Sequence, residues 1–201
     1  MTDISLLDAL RTQRSTRRFS PQPVPDEAIS SILKAATWAP SAGNRQPWRF
    51  VVVRDPALKR RIGEWYDQGA GTAYGYRQRG NAPQENREPT FSDVPVLILV
   101  CIEAVSTNPG PGSEFFRGAS IYPAMQNLML AARAMGLGTR PTTLHRHHEA
   151  DIKAHLGIPD RVDIAAIVPL GYPGEGEHFG GKRRKPLSEV AFNDRWGQPL
   201  G

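Results

Sequence analysis

The sequence is poor in cysteine and in lysine. One cysteine among 201 residues can form neither an internal disulfide nor a cysteine-based metal cluster. This residue, Cys101, lies in the apolar run VPVLILVCI, where burial raises the pKa of a thiol. We therefore expect Cys101 to be inert core rather than a nucleophile. Five lysines stand beside 20 arginines, so arginine carries most of the positive charge.

The sequence also lacks a long apolar run. A membrane-spanning helix needs about 18 or more apolar residues in succession, and none occur, so we expect no membrane segment. The first residues, MTDISLLDALRTQRS, are amphipathic, carry an early aspartate and lack the apolar core of a signal peptide. These absences predict a cytoplasmic protein.

The net charge of the chain is +5 at neutral pH. The arginines are scattered, with concentrations at residues 11–18 and in the KRRK stretch at 182–185. This distribution suits a compact anion contacted by both chain ends better than a long polyanion. A non-enzymatic basic module is the alternative, but the sequence has no interleaved basic–aromatic stripe, so we expect no nucleic-acid partner.

Hydrophobic periodicity predicts a single α+β domain over residues 1–201, with helices packed on a sheet. The predicted helices are residues 4–14, a segment opening at Asp26, a segment from Asp55-Pro56 through Trp65, residues 115–135 and residues 149–156. Asp55 and Pro56 suit the N-cap and the first turn of the third helix. The helix at 115–135 is expected to bend or restart at Pro123 and to end at Gly136. The predicted strands are RFVVVRD, VPVLILVCI and VDIAAIVPLGY, with a loop or short strand at GTRPTTL.

Two segments fall outside this pattern. Residues 67–93 are rich in Gly, Gln, Asn and Pro, and a loop of that length is typical of a lid or of disorder. A substrate lid carrying Tyr74 and Tyr76 and plain disorder stay open as alternatives. Residues 173–201 form a C-terminal tail.

The stretch RSTRRF, residues 14–19, follows the first predicted helix. Hydroxyls, backbone amides and arginine side chains together suit a phosphate, and Arg14 and Arg17 can converge on one anion. A solvated basic helix end, favoured by the helix dipole, is the alternative interpretation.

The stretch APSAGNRQPW, residues 39–48, follows the second predicted helix. Small residues let the backbone approach a flat ligand closely, and Asn44 and Gln46 offer donors and acceptors to a ring edge. A rigid turn at a helix end is equally compatible with this string. Trp48 and Phe50 begin a strand that we expect to anchor the loop in the core.

Three other motifs do not by themselves predict a binding site. LHRHHEA lacks the spacing and the further ligands of a zinc site, so we expect no metal. GYPGEGEHFGG follows the last strand with no helix after it, so it is interpreted as a flexible link rather than a dinucleotide-binding loop. KRRK is by itself typical of a solvated tail.

Four stretches, taken together, resemble the FMN-dependent nitroreductase superfamily: RSTRRF, PVPDEAISSILKAATWAPSAGNRQPWRFVVV, AARAMGLGT and RRKPLSEV. Their order and separations match, and the likeness covers nearly the whole chain, residues 67–93 being the least matched part. The resemblance implies a nitroreductase-like α+β fold with a central mixed sheet flanked by helices. It also implies a homodimer in which the C-terminal tail reaches the partner and two FMN molecules lie in clefts between subunits.

The resemblance implies cofactor-binding residues in four places: the first basic stretch, the tight loop along the flavin ring, the segment beside flavin N5, and the tail. They are Arg14, Ser15 and Arg17; Pro40, Ser41, Ala42 and Asn44; Pro141, Thr142 and Thr143; and Lys182 and Arg184. Arg17 would stabilise the anionic reduced flavin. No catalytic acid or base is named, because the electron chemistry belongs to the cofactor.

The chain departs from the superfamily pattern in two places. Many members have Arg-Arg-Ser where Gln13 precedes Arg14 here, so Arg14 is expected to make that phosphate contact alone. RPTTLH carries no acidic residue to lie near N5, so a backbone amide would take that contact.

The resemblance implies ping-pong chemistry, in which NAD(P)H gives a hydride to flavin N5 and the flavin then reduces a nitroaromatic, a quinone or a related conjugated acceptor. A specialised relative is the alternative: a dehalogenase, a flavin-cleaving enzyme, an azoline or cyclic-peptide oxidase, or a reductase of deazaflavin precursors. The residues alone do not separate these activities.

Overall fold

The computed structural model describes residues 4–74, 90–103 and 113–200. Within these ranges the chain forms five α-helices and four β-strands. In chain order they are α1 Leu6–Thr12, α2 Asp26–Ala36, β1 Trp48–Val53, α3 Pro56–Tyr74, β2 Val96–Glu103, α4 Ser113–Ala134, β3 Gly138–Thr139, α5 Glu149–Leu156 and β4 Val162–Gly171.

Local chemistry explains where two of these helices begin and end. The Asp55 carboxylate accepts hydrogen bonds from the amides of Ala57 and Leu58, at 2.8 and 2.9 Å, and so caps the start of α3 as predicted. Gly136, with a φ of 74°, ends α4 in the left-handed conformation that glycine adopts without strain. The restart at Pro123 is wrong, because α4 continues through it as one helix that loses only a single backbone donor there.

The four strands form one sheet in the order β1-β2-β4-β3. Every strand pair that the structure describes is antiparallel, with Val53 opposite Leu97 and Glu103 opposite Val162. The prediction of an α+β fold is confirmed, but the prediction of a mixed sheet is wrong for these strands. The connections from β1 to β2 and from β3 to β4 return the chain to the end of the sheet where it left, so each gives an antiparallel pair. The connection through α4 crosses to the opposite end, but it places β3 beside β4 and not beside β2, so it forms no parallel pair.

Strand β2 lies at the centre of the core and is buried on both faces. Its alternate side chains divide between two apolar clusters, because successive residues of a strand point to opposite faces. Val96, Ile98 and Val100 pack with residues of α2 and α4, and Leu97, Leu99 and Cys101 pack with residues of α3, α5 and β4. The sheet is therefore covered by helices on both sides.

Helix α3 is longer than the sequence predicted. It continues past Trp65 to Tyr74, so residues 67–74 belong to a helix and their assignment to a loop is wrong. The physical reason is tertiary packing: Gly69 lies so close to the Leu144 carbonyl that a Cβ would stand 2.5 Å from its oxygen. Residues 75–89, including Tyr76, lie outside the described residues, and the lid stays a prediction.

None of the helices described combines the length and the hydropathy required to cross a bilayer.

Candidate functional site

The first predicted group of site residues lies, at the edge of the sheet, beside the strand that leads into the Pro141–Thr143 group. Ser15 forms a parallel bridge with Thr139, and the Thr16 amide donates to the Thr139 carbonyl at 3.0 Å. Thr16 is only 2% exposed, and a Cβ on Gly138 would stand 2.3 Å from its hydroxyl oxygen. A glycine at position 138 is thus what lets the Arg14–Arg17 segment lie against the segment that leads to Pro141.

The Pro141–Thr143 segment is fixed from the other side by β4. Thr142 and Ile167 exchange two backbone hydrogen bonds, of 2.9 and 3.0 Å. The next residue, Thr143, is exposed, and its amide N–H has no acceptor among the described residues. The segment therefore presents one free backbone donor from a rigid support.

His145 anchors the chain two residues further on. It is fully buried, and its Nε2 lies 2.7 Å from the Ile164 carbonyl oxygen. Burial lowers the pKa of His145, so the imidazole is neutral. A ring nitrogen bound to a carbonyl must donate, which places the proton on Nε2 and leaves Nδ1, which has no partner in the described structure, as an acceptor.

Arg14 faces the start of the C-terminal tail. Its Nη1 lies 3.1 Å from Nε2 of His178, and its Nε is buried without a partner among the described residues. The side chain of Arg17 is exposed. The predicted convergence of Arg14 and Arg17 on one point is therefore not observed in the single chain.

The chain from Gly174 to Gly180 runs along the first basic stretch. Glu177 accepts hydrogen bonds from the amides of Arg17 and Arg18, at 3.1 Å each, and the Gly180 amide donates to the Thr12 carbonyl at 3.0 Å. The interpretation of GYPGEGEHFGG as a flexible link is therefore wrong, because these hydrogen bonds fix the position of the segment. We call residues 174–180 the clasp.

Sequence reasoning missed Glu177 and His178 as residues of this region. Their partners lie about 160 positions earlier in the chain, and such a separation leaves no local pattern. The sequence did carry one signal of this order, the alternation of glycines with charged residues. In the structure Gly176 and Gly180 have positive φ values, a conformation that a freely solvated link would not require.

The basic tail leaves the body of the chain directly after the clasp. Residues 181–190 are all exposed, and the described contact of the Arg184 guanidinium is with the carbonyl of its neighbour Arg183, at 3.4 Å. Lys182 and Arg184 lie two and four positions beyond Gly180. The structure therefore places the tail's origin, but not its basic side chains, at Arg14.

The tight loop lies against α4 rather than against the first basic stretch. The Ala42 amide donates to Ser120 Oγ at 3.2 Å, and Gln46 donates to the Asn44 side chain at 3.3 Å. Gly43, Asn44 and Gln46 all have φ values between 50° and 57°, which is the left-handed region. The described hydrogen bonds of this loop do not reach Arg14–Arg17.

The expected anchor of this loop is confirmed. Trp48, the first residue of β1, is only 6% exposed and packs in the cluster with α2 and α4, and Phe50 packs against the same cluster. The strained turn is therefore attached directly to the core.

Two other buried polar groups are structural. Cys101 is fully buried, which confirms its place in the core, and burial raises the pKa of its thiol to about 12, well above the range in which a thiolate forms. Lys59 donates from Nζ to the carbonyls of Val94 and Pro95, at 2.6 and 3.3 Å, and burial lowers the pKa of its ammonium group.

Comparison with known proteins agrees with this architecture. A protein of Methanothermobacter thermautotrophicus, whose name marks it as a candidate NADH dehydrogenase/NAD(P)H nitroreductase, is 33% identical over 87% of this chain and 81% of its own length. Iodotyrosine deiodinase 1 of Rattus norvegicus is 29% identical over 91% of this chain and 67% of its own length.

A solved structure gives the same result at the level of the fold. An oxidised iodotyrosine deiodinase bound to FMN and 3-iodo-L-tyrosine superposes with a TM-score of 0.73 at 27% identity, over 95% of this chain and 99% of that one. A sequence model described as the nitroreductase family matches residues 10–172, from within α1 to just beyond the end of β4. The chain belongs to the nitroreductase family.

Proposed function

We propose that this protein is an FMN-dependent NAD(P)H oxidoreductase that passes electrons to a small conjugated acceptor. The observation that carries the proposal is the bridge between Ser15 and Thr139, which joins a basic segment to a segment with a free backbone donor. The names of related NAD(P)H nitroreductases and the FMN in the related deiodinase structure support it.

The phosphate end of the proposed site fits the donors that are present. Arg14 has a buried Nε without a partner, and the described residues place no carboxylate in an ion pair with it. A guanidinium offers a planar set of donors that matches a phosphate. Ser15 adds a hydroxyl, and Lys182 and Arg184 add exposed positive charge from the tail.

The residues at the flavin end of the proposed site can orient the ring. When bound, FMN supplies the acceptance and donation of hydride, which no side chain can perform. Pro141 and Thr142 offer a rigid edge against which a flat ring can lie, and the Thr143 amide offers a donor to a ring nitrogen. His145 keeps this edge in place, because its imidazole binds the neighbouring strand.

A homodimer completes the proposed site. Leu6, Leu7 and Leu10 of α1 are exposed, Leu7 to 76%, although their spacing forms one apolar face. The tail carries the exposed apolar residues Leu187, Val190 and Trp196, and Trp196 is 90% exposed. A second copy of the chain would cover these surfaces and bring its tight loop, residues Pro40 to Asn44, to the flavin of its partner.

The cofactor is tested with an Arg14→Ala, Arg184→Ala double variant. Each lost charge-assisted contact weakens anion binding, so we expect FMN affinity to fall roughly 100-fold and the variant to purify without its flavin absorption. Arg54→Ala with Arg161→Ala is the matched control, because it removes two arginines that pair with Asp26 and Glu103 at the surface. Full flavin occupancy in the test variant would show that the phosphate site is elsewhere.

The acceptor is tested by turnover. We expect steady oxidation of NADH or NADPH in the presence of nitrofurazone or menadione. The likeness to iodotyrosine deiodinases favours a second activity, reductive removal of halide from a halogenated phenol. Iodide release from 3-iodotyrosine with dithionite as reductant, together with slow NAD(P)H turnover, would support that second activity over the first.

A further inference from the structure

We propose that His178 is a phosphate-binding residue of this site, which holds Arg14 when FMN is absent and donates to the phosphate as an imidazolium when FMN is present. The inference rests on the proposed function and adds a residue to it. Its starting point is the 3.1 Å contact between Arg14 Nη1 and His178 Nε2.

The direction of this hydrogen bond follows from the chemistry of its two partners. Arginine has five N–H donors and no acceptor, so Nε2 of His178 must accept in this pair. The imidazole is then neutral, with its proton on Nδ1. An imidazolium in the same place would turn a second donor towards the guanidinium and repel it.

The clasp holds His178 at this position by its backbone. Glu177, the preceding residue, binds the amides of Arg17 and Arg18, and Gly180 binds the Thr12 carbonyl. Phe179 lies under the guanidinium of Arg133, 4.0 Å from ring centroid to Cζ. Contacts of the residues on both sides of His178 thus fix its backbone, while its own side chain is exposed and can change partner.

The charges around His178 are mostly positive. Arg14 faces it directly, Arg133 of α4 stacks on its neighbour Phe179, and Lys182 follows in the chain. Glu177 is the adjacent carboxylate, and Arg11 on α1 is paired with Asp8 at 2.8 Å. A phosphate dianion beside His178 would therefore be surrounded mainly by cationic groups.

The sequence gives the proposed contact a reason. Gln13, which precedes Arg14, carries no charge, so a further cation beside Arg14 would strengthen the contact with the phosphate. A protonated His178 supplies that cation from the clasp. Binding of FMN should therefore take up a proton, and affinity should rise as the pH falls through the range in which histidine titrates.

The test is a titration of the flavin-free protein with FMN at pH 6.5 and 8.5, followed by flavin fluorescence. The wild type should bind roughly tenfold more tightly at pH 6.5. His178→Gln should lose this difference and bind as the wild type does at pH 8.5. His178→Lys, which is charged at both pH values, should bind tightly at both.

Two controls isolate the effect. Riboflavin lacks the phosphate, so its affinity should not respond to either substitution. His155→Gln makes the same chemical change on α5, where the ring contacts Trp65, and should leave FMN binding at its wild-type pH dependence. Comparison of variants at equal pH also cancels the titration of the FMN phosphate itself.

The outcomes separate the two proposals. FMN binding by the wild type with no change in His178→Gln would overturn the role of His178 and leave the proposed function standing. An equal loss of riboflavin affinity in His178→Gln would also overturn it, because the residue would then act on the fold alone. A wild type that binds no FMN would overturn both.

Discussion

At the scale of single residues, the buried imidazole of His145 controls the most constrained part of the proposed site. Its Nε2 donates to Ile164, and the amide of Ile164 in turn donates to the Glu149 carboxylate at 2.7 Å. The residue thus ties the turn that follows Thr143 to β4 and to the start of α5. Because the ring is neutral and buried, protonating it would place a charge in the core, and the cost of burying that charge outweighs its attraction to the Glu149 carboxylate.

His145 makes the stability of the fold depend on pH. Burial lowers the pKa of this residue, so below the ordinary histidine value of about 6.5 the unfolded chain binds a proton that the folded chain does not. Stability is therefore lost as the pH falls. We expect His145→Gln to remove up to about 1.4 kcal/mol per pH unit from this decline between pH 6.5 and 5.5, as measured by urea unfolding.

The matched control for this prediction is His147→Gln, the same change at an exposed position two residues away. It should leave the pH dependence of unfolding at the wild-type slope. Parallel curves for the wild type and His145→Gln would contradict the assignment of the decline to this imidazole. The absolute stability of His145→Gln does not enter the test, because only the slope is compared.

Residue chemistry could be predicted where its cause lies nearby in the sequence. The core position of Cys101, the capping role of Asp55 and the anchoring role of Trp48 are confirmed, since each follows from its immediate neighbours. The burial of His145 could not be predicted, because its partner Ile164 lies 19 residues away. The motif LHRHHEA contains three similar histidines, and only packing distinguishes the buried one.

At the scale of elements, small residues decide which segments touch. Gly69 lets α3 pack against the turn after Thr143. At Gly174 an added Cβ would stand 3.1 Å from the backbone carbon of Phe19, so this glycine lets the clasp lie close to that segment. The sequence shows the positions of these glycines, but it does not predict which distant segment packs against each of them. For this reason the length of α3 and the order of the clasp were predicted wrongly, while the helix and strand periods themselves were predicted correctly.

A substitution at Gly138 should separate two predicted groups of site residues. The added methyl group of Gly138→Ala would stand 2.3 Å from the Thr16 hydroxyl oxygen and 2.7 Å from its Cβ, so β3 or the Arg14–Arg17 segment must move. We expect a loss of about 1–3 kcal/mol in stability and weaker FMN binding. Thermal unfolding and an FMN titration measure the two effects.

Gly181→Ala is the control for this element. A Cβ at that position meets only the Arg11 carbonyl oxygen, at 3.7 Å, which is an ordinary contact. This variant should keep both the wild-type melting temperature and the wild-type affinity. If Gly138→Ala bound FMN as tightly as Gly181→Ala does, the contact between the two segments would have no part in the site.

At the scale of the whole molecule, basic residues at both ends of the chain predicted one compact anion, and that anion stays a prediction. The structure brings the origin of the tail to Arg14 through the clasp, but not the side chains of Lys182 and Arg184. The α+β class followed from periodicity, but the antiparallel pairing depends on how long connections return to the sheet. No local pattern predicts what covers the exposed leucines of α1, since Leu7 and Leu10 resemble core residues in the sequence.

The proposed dimer depends on the tail and on α1. A chain that ends after Gly180 loses Leu187, Val190 and Trp196, the exposed apolar residues that the tail would place on a partner. We expect this truncated chain to be monomeric at micromolar concentration, with the full chain at twice 22.2 kDa, as measured by light scattering after size exclusion. It should also bind FMN more weakly, because Lys182 and Arg184 are removed with the tail.

Leu7→Asp in the full chain separates these two effects, because it disrupts the apolar face of α1 and keeps the basic tail. It should also yield a monomer, whereas Ala150→Asp, which adds the same charge at an exposed position on α5, should remain a dimer. A wild-type chain that is monomeric under these conditions would contradict the dimer directly. A Leu7→Asp monomer that keeps full FMN affinity would show instead that one chain holds the cofactor without the partner's tight loop.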